Sequence, residues 1–145
     1  VGKILSQKLD MPVYDSDEMI VNIQNVEISE IFATKGEEYF RDLESESISE
    51  LGAKNGIIIS TGGGAILREK NVYAMKQNGT VYFLDRPLEM LIPTDDRPLS
   101  KNVDDIKKRY KERYEIYISS ADCVIDASAD AEVVAERIIK DFLNK

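Results

Sequence analysis

Residues 57–64 read IIISTGGG, a run of apolar side chains that ends in three consecutive glycines. A short, continuous apolar run is typical of a parallel strand that is covered on both faces. The glycines remove every side chain where this strand ends, so backbone N–H groups could approach a bound anion or a sugar-like ring closely. A tight turn into the next helix is the alternative, purely structural interpretation. The pattern is not G-x-G-x-x-G, so it does not indicate a dinucleotide site.

Outward from this stretch, strands and helices alternate along the chain. Three more short strands are predicted at 11–14, 80–84 and 123–126. Helices are predicted at 1–9, 18–24, 27–34, 37–53, 67–77, 87–91, 103–117 and 131–143. Alternation of this kind implies right-handed crossovers and a parallel sheet with helices on both faces. The predicted fold class is therefore a three-layer α/β domain.

Length and charge narrow the possible partners. The 145 residues are enough for one compact domain, which we expect to span 1–145. The 27 acidic and 19 basic side chains give a formal charge of −8, and this field would repel a nucleic acid or an anionic membrane surface. We therefore expect no nucleic acid and no membrane partner. We also expect a monomer, although neither length nor charge decides the oligomeric state.

Histidine and cysteine usage excludes several chemistries. The chain has no histidine, which rules out Ser-His-Asp and Cys-His catalysis and imidazole zinc sites. One cysteine cannot form an intrachain disulfide, and Cys123 lies in an apolar run where we expect a small buried side chain. Any chemistry must then use carboxylates, Arg, Lys, hydroxyls and the backbone. The apolar runs are much shorter than the roughly 18 residues of a membrane span, and no signal-peptide pattern is seen, so we expect a cytoplasmic protein.

Two aspartates follow the predicted strand at 11–14. In parallel sheets, ligands bind beyond the carboxyl ends of the strands, where the loops after 14 and 60 should lie. Asp15 and Asp17 are separated by one residue, so in an extended segment their side chains leave on the same side and could hold a hydrated cation or two ligand hydroxyls. Capping of the next helix by Asp17 or Ser16 is the alternative.

Three arginines are candidates for binding an anion. Arg41 and Arg113 lie on predicted helices, where a surface arginine paired at i,i+4 is the common alternative. The guanidinium group suits a bidentate grip on a carboxylate or phosphate. Arg97 lies in a polar, proline-bracketed loop and could fold over a transferred phosphoryl group, or simply be solvated.

Five segments together resemble shikimate kinase, in order and over essentially the whole chain. They are MPVYDSD at 11–17, IFATKGEEYFRDLE at 31–44, STGGGA at 60–65, DRPL around Arg97 and KERYEIY at 111–117. The resemblance implies the nucleoside-monophosphate-kinase-like P-loop fold. It also implies transfer of the γ-phosphoryl group of ATP to the 3-hydroxyl of shikimate, with Mg²⁺, in the chorismate pathway of aromatic amino-acid biosynthesis.

The resemblance also implies roles for individual residues. Asp17 would bind shikimate hydroxyls and accept the attacking proton, and Asp15 would hold Mg²⁺ through water. Arg41 and Arg113 would clamp the substrate carboxylate. The triple glycine, Gly62, Gly63 and Gly64, would cradle the shikimate ring through backbone groups.

The remaining implied roles concern larger segments and the nucleotide. Arg97 would meet the phosphates of ATP, in a short lid at about 92–102, as a catalytic and nucleotide-binding residue. A helical region at about 18–53 would bind the substrate, with Phe32 and Phe40 as walls of the pocket or as plain core. Such a reaction needs alignment and charge neutralisation rather than histidine.

One family motif has no counterpart in this sequence. Family members begin with a central strand and a G-x-x-x-x-G-K-[ST] loop, whereas Val1-Gly2-Lys3 resembles the stretch just after that loop. We therefore expect the sequence to be a truncated form of a longer kinase and ATP binding to belong to that parent. Without that strand, each buried backbone group that loses its partner would cost about 1–3 kcal/mol. A noncatalytic shikimate-binding module and a related small-molecule P-loop kinase are the alternatives.

Overall fold

The computed structural model describes residues 1–86 and 100–144, in two compact units, Val1–Thr80 and Val81–Lys145. The predicted helix at 87–91 and the lid residues 92–99, including Arg97, lie outside the described residues. A single domain over 1–145 stays a prediction. None of the described helices has the length and apolar character needed to cross a membrane.

The first unit contains one pair of parallel strands and the helices around it. In chain order it consists of α1 Gly2–Leu9, β1 Val13–Asp15, α2 Ser16–Gln24, α3 Ile28–Lys35, α4 Glu37–Gly52, β2 Ile58–Ser60, a 3-10 turn Ala65–Leu67 and α5 Glu69–Gln77. β1 pairs with β2 in parallel, with Asp15 opposite Ser60 at the last position. The loops that follow the two strands therefore start side by side at one edge of the pair.

Three helices of the first unit share a small apolar core. Ile20 of α2, Ile31 of α3 and Phe40 of α4 are buried together, and Val26, Ile28 and Leu43 pack against them. Further along α4, Ile48 and Leu51 are also buried, on the same stripe as Phe40. This packing fixes the face of α4 that carries the arginine and the acidic residues described below.

The second unit contains the other parallel pair. Its described elements are β3 Tyr82–Asp85, α6 Ser100–Ser120, β4 Cys123–Asp126 and α7 Ala131–Leu143. Tyr82 pairs with Cys123 and Asp85 with Asp126. Asp130 caps α7 by accepting a hydrogen bond from the Val133 N–H at 3.0 Å, and Val134 and Ile138 bury the inner face of that helix. The Tyr82 hydroxyl donates to Asp141 Oδ2 at 2.7 Å, which joins β3 to α7.

Parallel pairing in both units, with helices between successive strands, confirms the predicted α/β class. Two elements, β4 and α7, have the predicted bounds. α5 begins at Glu69 rather than 67, because 65–67 form a 3-10 turn and Arg68 is extended, with φ −109° and ψ 124°. Two burial expectations were wrong: the β2 side chains are half-buried rather than covered on both faces, and so is Cys123.

Candidate active site

Asp15 begins α2 and fixes the loop that follows β1. Its Oδ1 accepts hydrogen bonds from the backbone N–H groups of Asp17, at 2.9 Å, and Glu18, at 3.1 Å. The cap is therefore Asp15, and capping by Asp17 or Ser16 was the wrong alternative. An aspartate that ends a strand can cap the next helix because its backbone is still extended, here with φ −105° and ψ 121°.

Asp17 does not act as the cap in this arrangement. Its Oδ1 is buried, and no described residue donates a hydrogen bond to that atom. Burial raises the pKa of the Asp17 carboxyl, the charge of Asp15 raises it further, and the charge of Arg41 opposes both effects. A buried, unpartnered oxygen on a carboxyl of raised pKa is typical of a group that binds or deprotonates a ligand.

The triple glycine faces this carboxylate and the guanidinium group of Arg41. A β-carbon built on Gly62 would lie 3.1 Å from Asp17 Oδ2, and one built on Gly64 would collide with the Arg41 guanidinium group. The loop then closes into the 3-10 turn, because the Gly62 carbonyl accepts from the Ala65 N–H at 3.2 Å. Glycine is thus required here because the side chains of Asp17 and Arg41 approach the backbone closely. The tight turn that the sequence also allowed does not explain it alone.

Arg41 is largely buried on α4, with 12% of its side chain exposed. Its Nε lies 3.3 Å from Glu37 Oε2 and its Nη1 lies 2.9 Å from Glu44 Oε1. Its Cζ also lies 5.3 Å from the centre of the Phe40 ring. The i,i+4 pair with Glu37 exists, as the alternative predicted. The group is nevertheless not a surface arginine, since it lies against Gly64 beside Asp17.

Glu44 belongs to the same cluster and was missed in the sequence. Its side chain is 1% exposed, and its Oε2 has no hydrogen-bond donor among the described residues. Burial raises the pKa of Glu44, while the hydrogen bond from Arg41 lowers it. The available signal was its position, because Glu44 stands four residues after Phe40 and four before Ile48, on an otherwise apolar stripe.

Arg113 lies in the second unit, on α6. Its side chain is half-buried, and no described residue forms an ion pair with it. The next residue, Tyr114, donates a hydrogen bond to Asp85 Oδ2 at 2.8 Å, and Phe83 stacks on Tyr117 with 4.7 Å between ring centres. These contacts hold this face of α6 on β3. The first unit thus gathers Asp15, Asp17, Arg41 and the triple glycine, while a shared site of Arg41 and Arg113 stays a prediction.

Comparison with known proteins decides the family. The family model described as shikimate kinase matches residues 1–143. The chain belongs to the shikimate kinase family. Curated shikimate kinases from Aquifex aeolicus and from Clostridium botulinum strain Alaska E43 are 39% and 38% identical to it, over 144 and 148 residues. These matches cover 96% and 99% of this chain and 85% and 89% of those proteins.

Solved shikimate kinases also share the fold. The crystal structure from Aquifex aeolicus matches with a TM-score of 0.86 and 36% identity, covering 99% of this chain and 88% of that one. Shikimate kinase from Acinetobacter baumannii, solved in complex with shikimate, matches with a TM-score of 0.88 and 28% identity, covering 99% and 84%. The predicted P-loop kinase class and family are therefore confirmed.

The two predicted pocket walls differ in burial. Phe40 is 4% exposed and belongs to the core, whereas Phe32 is 37% exposed, and their ring centres are 4.9 Å apart. Phe40 is thus core on one side and supports the Arg41 guanidinium group on the other. The role of Phe32 as a pocket wall stays a prediction.

Proposed function

We propose that this shikimate kinase family member transfers the γ-phosphoryl group of ATP to the 3-hydroxyl of shikimate, a step of aromatic amino-acid biosynthesis. One observation carries the proposal. The carboxylate of Asp17 and the guanidinium group of Arg41 face the same triple glycine, and a buried oxygen of that carboxylate has no donor among the described residues. A carboxylate that can accept from a hydroxyl and a cation that can bind a carboxylate, beside backbone that carries no side chains, suit a small polyhydroxylated acid.

Arg41 and Arg113 are proposed to bind the shikimate carboxylate. Glu44 holds Arg41 through Nη1, which orients the guanidinium group toward Gly64 before the ligand arrives. Preorientation of this kind reduces the entropy lost on binding. The glycines 62–64 would then bring backbone groups against the ring of the substrate.

Asp17 is proposed to accept the proton of the attacking hydroxyl. The 3-oxygen of shikimate bonds to the γ-phosphorus, the bond from that phosphorus to the β,γ-bridging oxygen breaks, and ADP leaves with the bond's electron pair. The hydroxyl proton passes to the Asp17 carboxylate. A pKa raised by burial makes this carboxylate a better proton acceptor than an exposed aspartate.

Asp15 is proposed to hold Mg²⁺, which when bound neutralises charge on the phosphates of ATP. Asp15 Oδ1 is occupied by two backbone N–H groups, which leaves Oδ2 for the ion or for one of its waters. Among the described residues no three acidic, cysteine or histidine side chains cluster as a metal cage. The residues fit Mg²⁺, because this ion keeps several waters and needs only one or two carboxylates besides phosphate.

The remaining proposals concern the nucleotide and the setting of the enzyme. Arg97, outside the described residues, is proposed to contact the phosphates of ATP from a lid at 92–102, whose last three residues are the start of α6. The helical region 18–53 is proposed to bind shikimate. The enzyme is proposed to be a cytoplasmic monomer. Light scattering of the purified protein checks the monomer, and fractionation of the source cells checks the location.

Calorimetric titration of shikimate, with and without ATP and Mg²⁺, tests the function, and ³¹P NMR identifies the product. We expect saturable binding and formation of shikimate 3-phosphate and ADP in equal amounts. Shikimate methyl ester is the matched control ligand, since it lacks the charge that Arg41 would bind. Binding without turnover in a protein that carries the G-x-x-x-x-G-K-[ST] loop would support the noncatalytic module, and failure to bind shikimate would contradict the proposal.

A further inference from the structure

Arg68 lies where the triple-glycine loop becomes α5. It follows the 3-10 turn Ala65–Leu67 directly, and its carbonyl accepts a hydrogen bond from the Asn71 N–H at 3.0 Å. Asn71, which is 2% exposed, in turn donates its side-chain amide to the Ala65 carbonyl at 2.9 Å. The loop is thus held on its C-terminal side by α5.

The Arg68 side chain crosses to α4 and contacts three residues of one stripe. Its Nη2 lies 3.1 Å from Glu38 Oε2, while its Nη1 lies 2.8 Å from Asp42 Oδ1 and donates to Ser45 Oγ at 3.3 Å. These three partners stand at i, i+4 and i+7, so they form a single row along the helix. Arg41 and Glu44 each immediately precede a member of this row.

The loop and α4 therefore meet at two places. At one, the guanidinium group of Arg41 lies against Gly64. At the other, Arg68 bridges to Glu38, Asp42 and Ser45. We propose that Arg68 is a positioning residue for shikimate binding, which fixes the gap between the triple glycine and Arg41 by bridging the loop to α4. This inference rests on the proposed function.

A role confined to stability does not account for this bridge well. The two acidic partners are 91% and 66% exposed, and exposed ion pairs contribute little to folding. The bridge is instead placed to set geometry, because it joins the two elements that carry the proposed ligand groups. Small displacements of such groups change binding and rate strongly. The charge of Arg68 also acts on Glu44, whose pKa it lowers.

Arg68→Gln tests the inference, and Lys70→Gln is its matched control. Lys70 stands two residues further on, and no described residue forms an ion pair with it. For Arg68→Gln we expect the KM and the calorimetric Kd for shikimate to rise about fivefold to tenfold, within the range for coupled neighbours. The KM for ATP and the melting temperature should change little. Lys70→Gln should match the parent protein in every measurement.

A double-mutant cycle with Asp42→Asn identifies the path of the effect. If Arg68 acts through Asp42, the double variant binds shikimate no more weakly than Arg68→Gln alone, whereas additive losses would contradict the bridge. Arg68→Lys, which keeps the charge and at most one contact, should fall between the parent and Arg68→Gln.

The outcomes separate this inference from the proposed function. If the parent protein does not bind shikimate, the proposed function fails. If the parent binds it and Arg68→Gln behaves like Lys70→Gln, only the role of Arg68 fails. Loss of the cooperative melt in Arg68→Gln, Arg68→Lys and Asp42→Asn alike would assign the bridge to folding and would also overturn the inference.

Discussion

Asp17 sits where an ionised carboxylate opposes folding, and it is proposed to bind the substrate. Folding raises its pKa above the ordinary value of 3.8, so the ionised group destabilises the folded state at pH values above the raised pKa. Asp17→Asn should therefore raise the melting temperature at pH 7 by about 1–3 °C. The gain should shrink as the pH falls through the raised pKa toward 3.8, because the parent carboxyl then becomes protonated in the folded state. The same variant should lower kcat about 10²- to 10⁴-fold.

Calorimetric melts between pH 4 and 7 measure the change in stability, and initial rates measure the change in kcat. Asp10→Asn is the control, because Asp10 is exposed, its φ is 54°, and asparagine tolerates that left-handed conformation. Its melting temperature should follow that of the parent protein throughout. A destabilised Asp17→Asn protein at pH 7 would show that the carboxylate has a structural partner.

Substitutions of Arg41 can separate the effect of its charge on shikimate binding from the effect of its planar geometry. Arg41→Gln should weaken shikimate binding at least about tenfold, the loss typical of a charge-assisted hydrogen bond. Arg41→Lys should lose less, because it keeps the charge without the planar fork. The methyl ester of shikimate should bind the parent protein and Arg41→Gln with similar, weak affinity. Equal losses for the acid and the ester would remove Arg41 from the carboxylate.

At the scale of elements, substitutions of Asp15 can separate its role as the cap of α2 from its proposed role in holding Mg²⁺. Asp15→Ala removes the cap and should cost about 1 kcal/mol of unfolding free energy. Asp15→Asn should keep that stability, because asparagine caps as well as aspartate does, yet it should raise the Mg²⁺ concentration needed for half-maximal activity. Urea unfolding and a Mg²⁺ titration of the rate check the two effects. An unchanged Mg²⁺ requirement in Asp15→Asn would contradict the proposed Mg²⁺ role and show that Asp15 acts only as a cap.

The triple-glycine loop provides a test of close approach. In Gly64→Ala the new methyl group would displace the guanidinium tip of Arg41 from its pair with the buried Glu44, so the melting temperature should fall as well. Shikimate affinity should fall about tenfold, because the ligand group moves. Gly79→Ala is the control, since its β-carbon would meet only the Met75 carbonyl, at 3.5 Å. Melting curves and calorimetric titrations of both variants decide the point.

Elements were predictable where one local signal dominates. Apolar side chains at four-residue steps predicted α7 with its observed bounds, and alternation of strands with helices predicted parallel pairing. The start of α5 was not predictable in this way, because Arg68 is extended and contacts α4, a distant segment, and periodicity within α5 indicates neither feature. The cap of α2 was misassigned because three capping residues stand in a row, and only the end of β1 selects Asp15.

At the scale of the whole molecule, the sequence predicted residue types better than contacts. Asp17, Arg41 and the triple glycine were identified from loop positions and family motifs, and the first unit gathers them. Glu44 was missed although its position between Phe40 and Ile48 on the apolar stripe of α4 indicated burial, and Arg68 was missed because an arginine beside a helix has no local mark of bridging. Their roles depend on tertiary packing, which one sequence does not display.

Arg113 of α6, in the second unit, can be tested through the stabilisation of the protein by shikimate. A ligand that binds only the folded protein stabilises it by about 2.7 kcal/mol at one hundred times its Kd, so shikimate should raise the melting temperature. Arg113→Gln should lose most of this rise, if Arg113 binds the same carboxylate as Arg41. Arg109→Gln should keep it, because Arg109 lies one helical turn earlier and is exposed. Equal rises in the two variants would exclude Arg113 from the clamp. Its half-buried side chain, with which no described residue forms an ion pair, favours the opposite result.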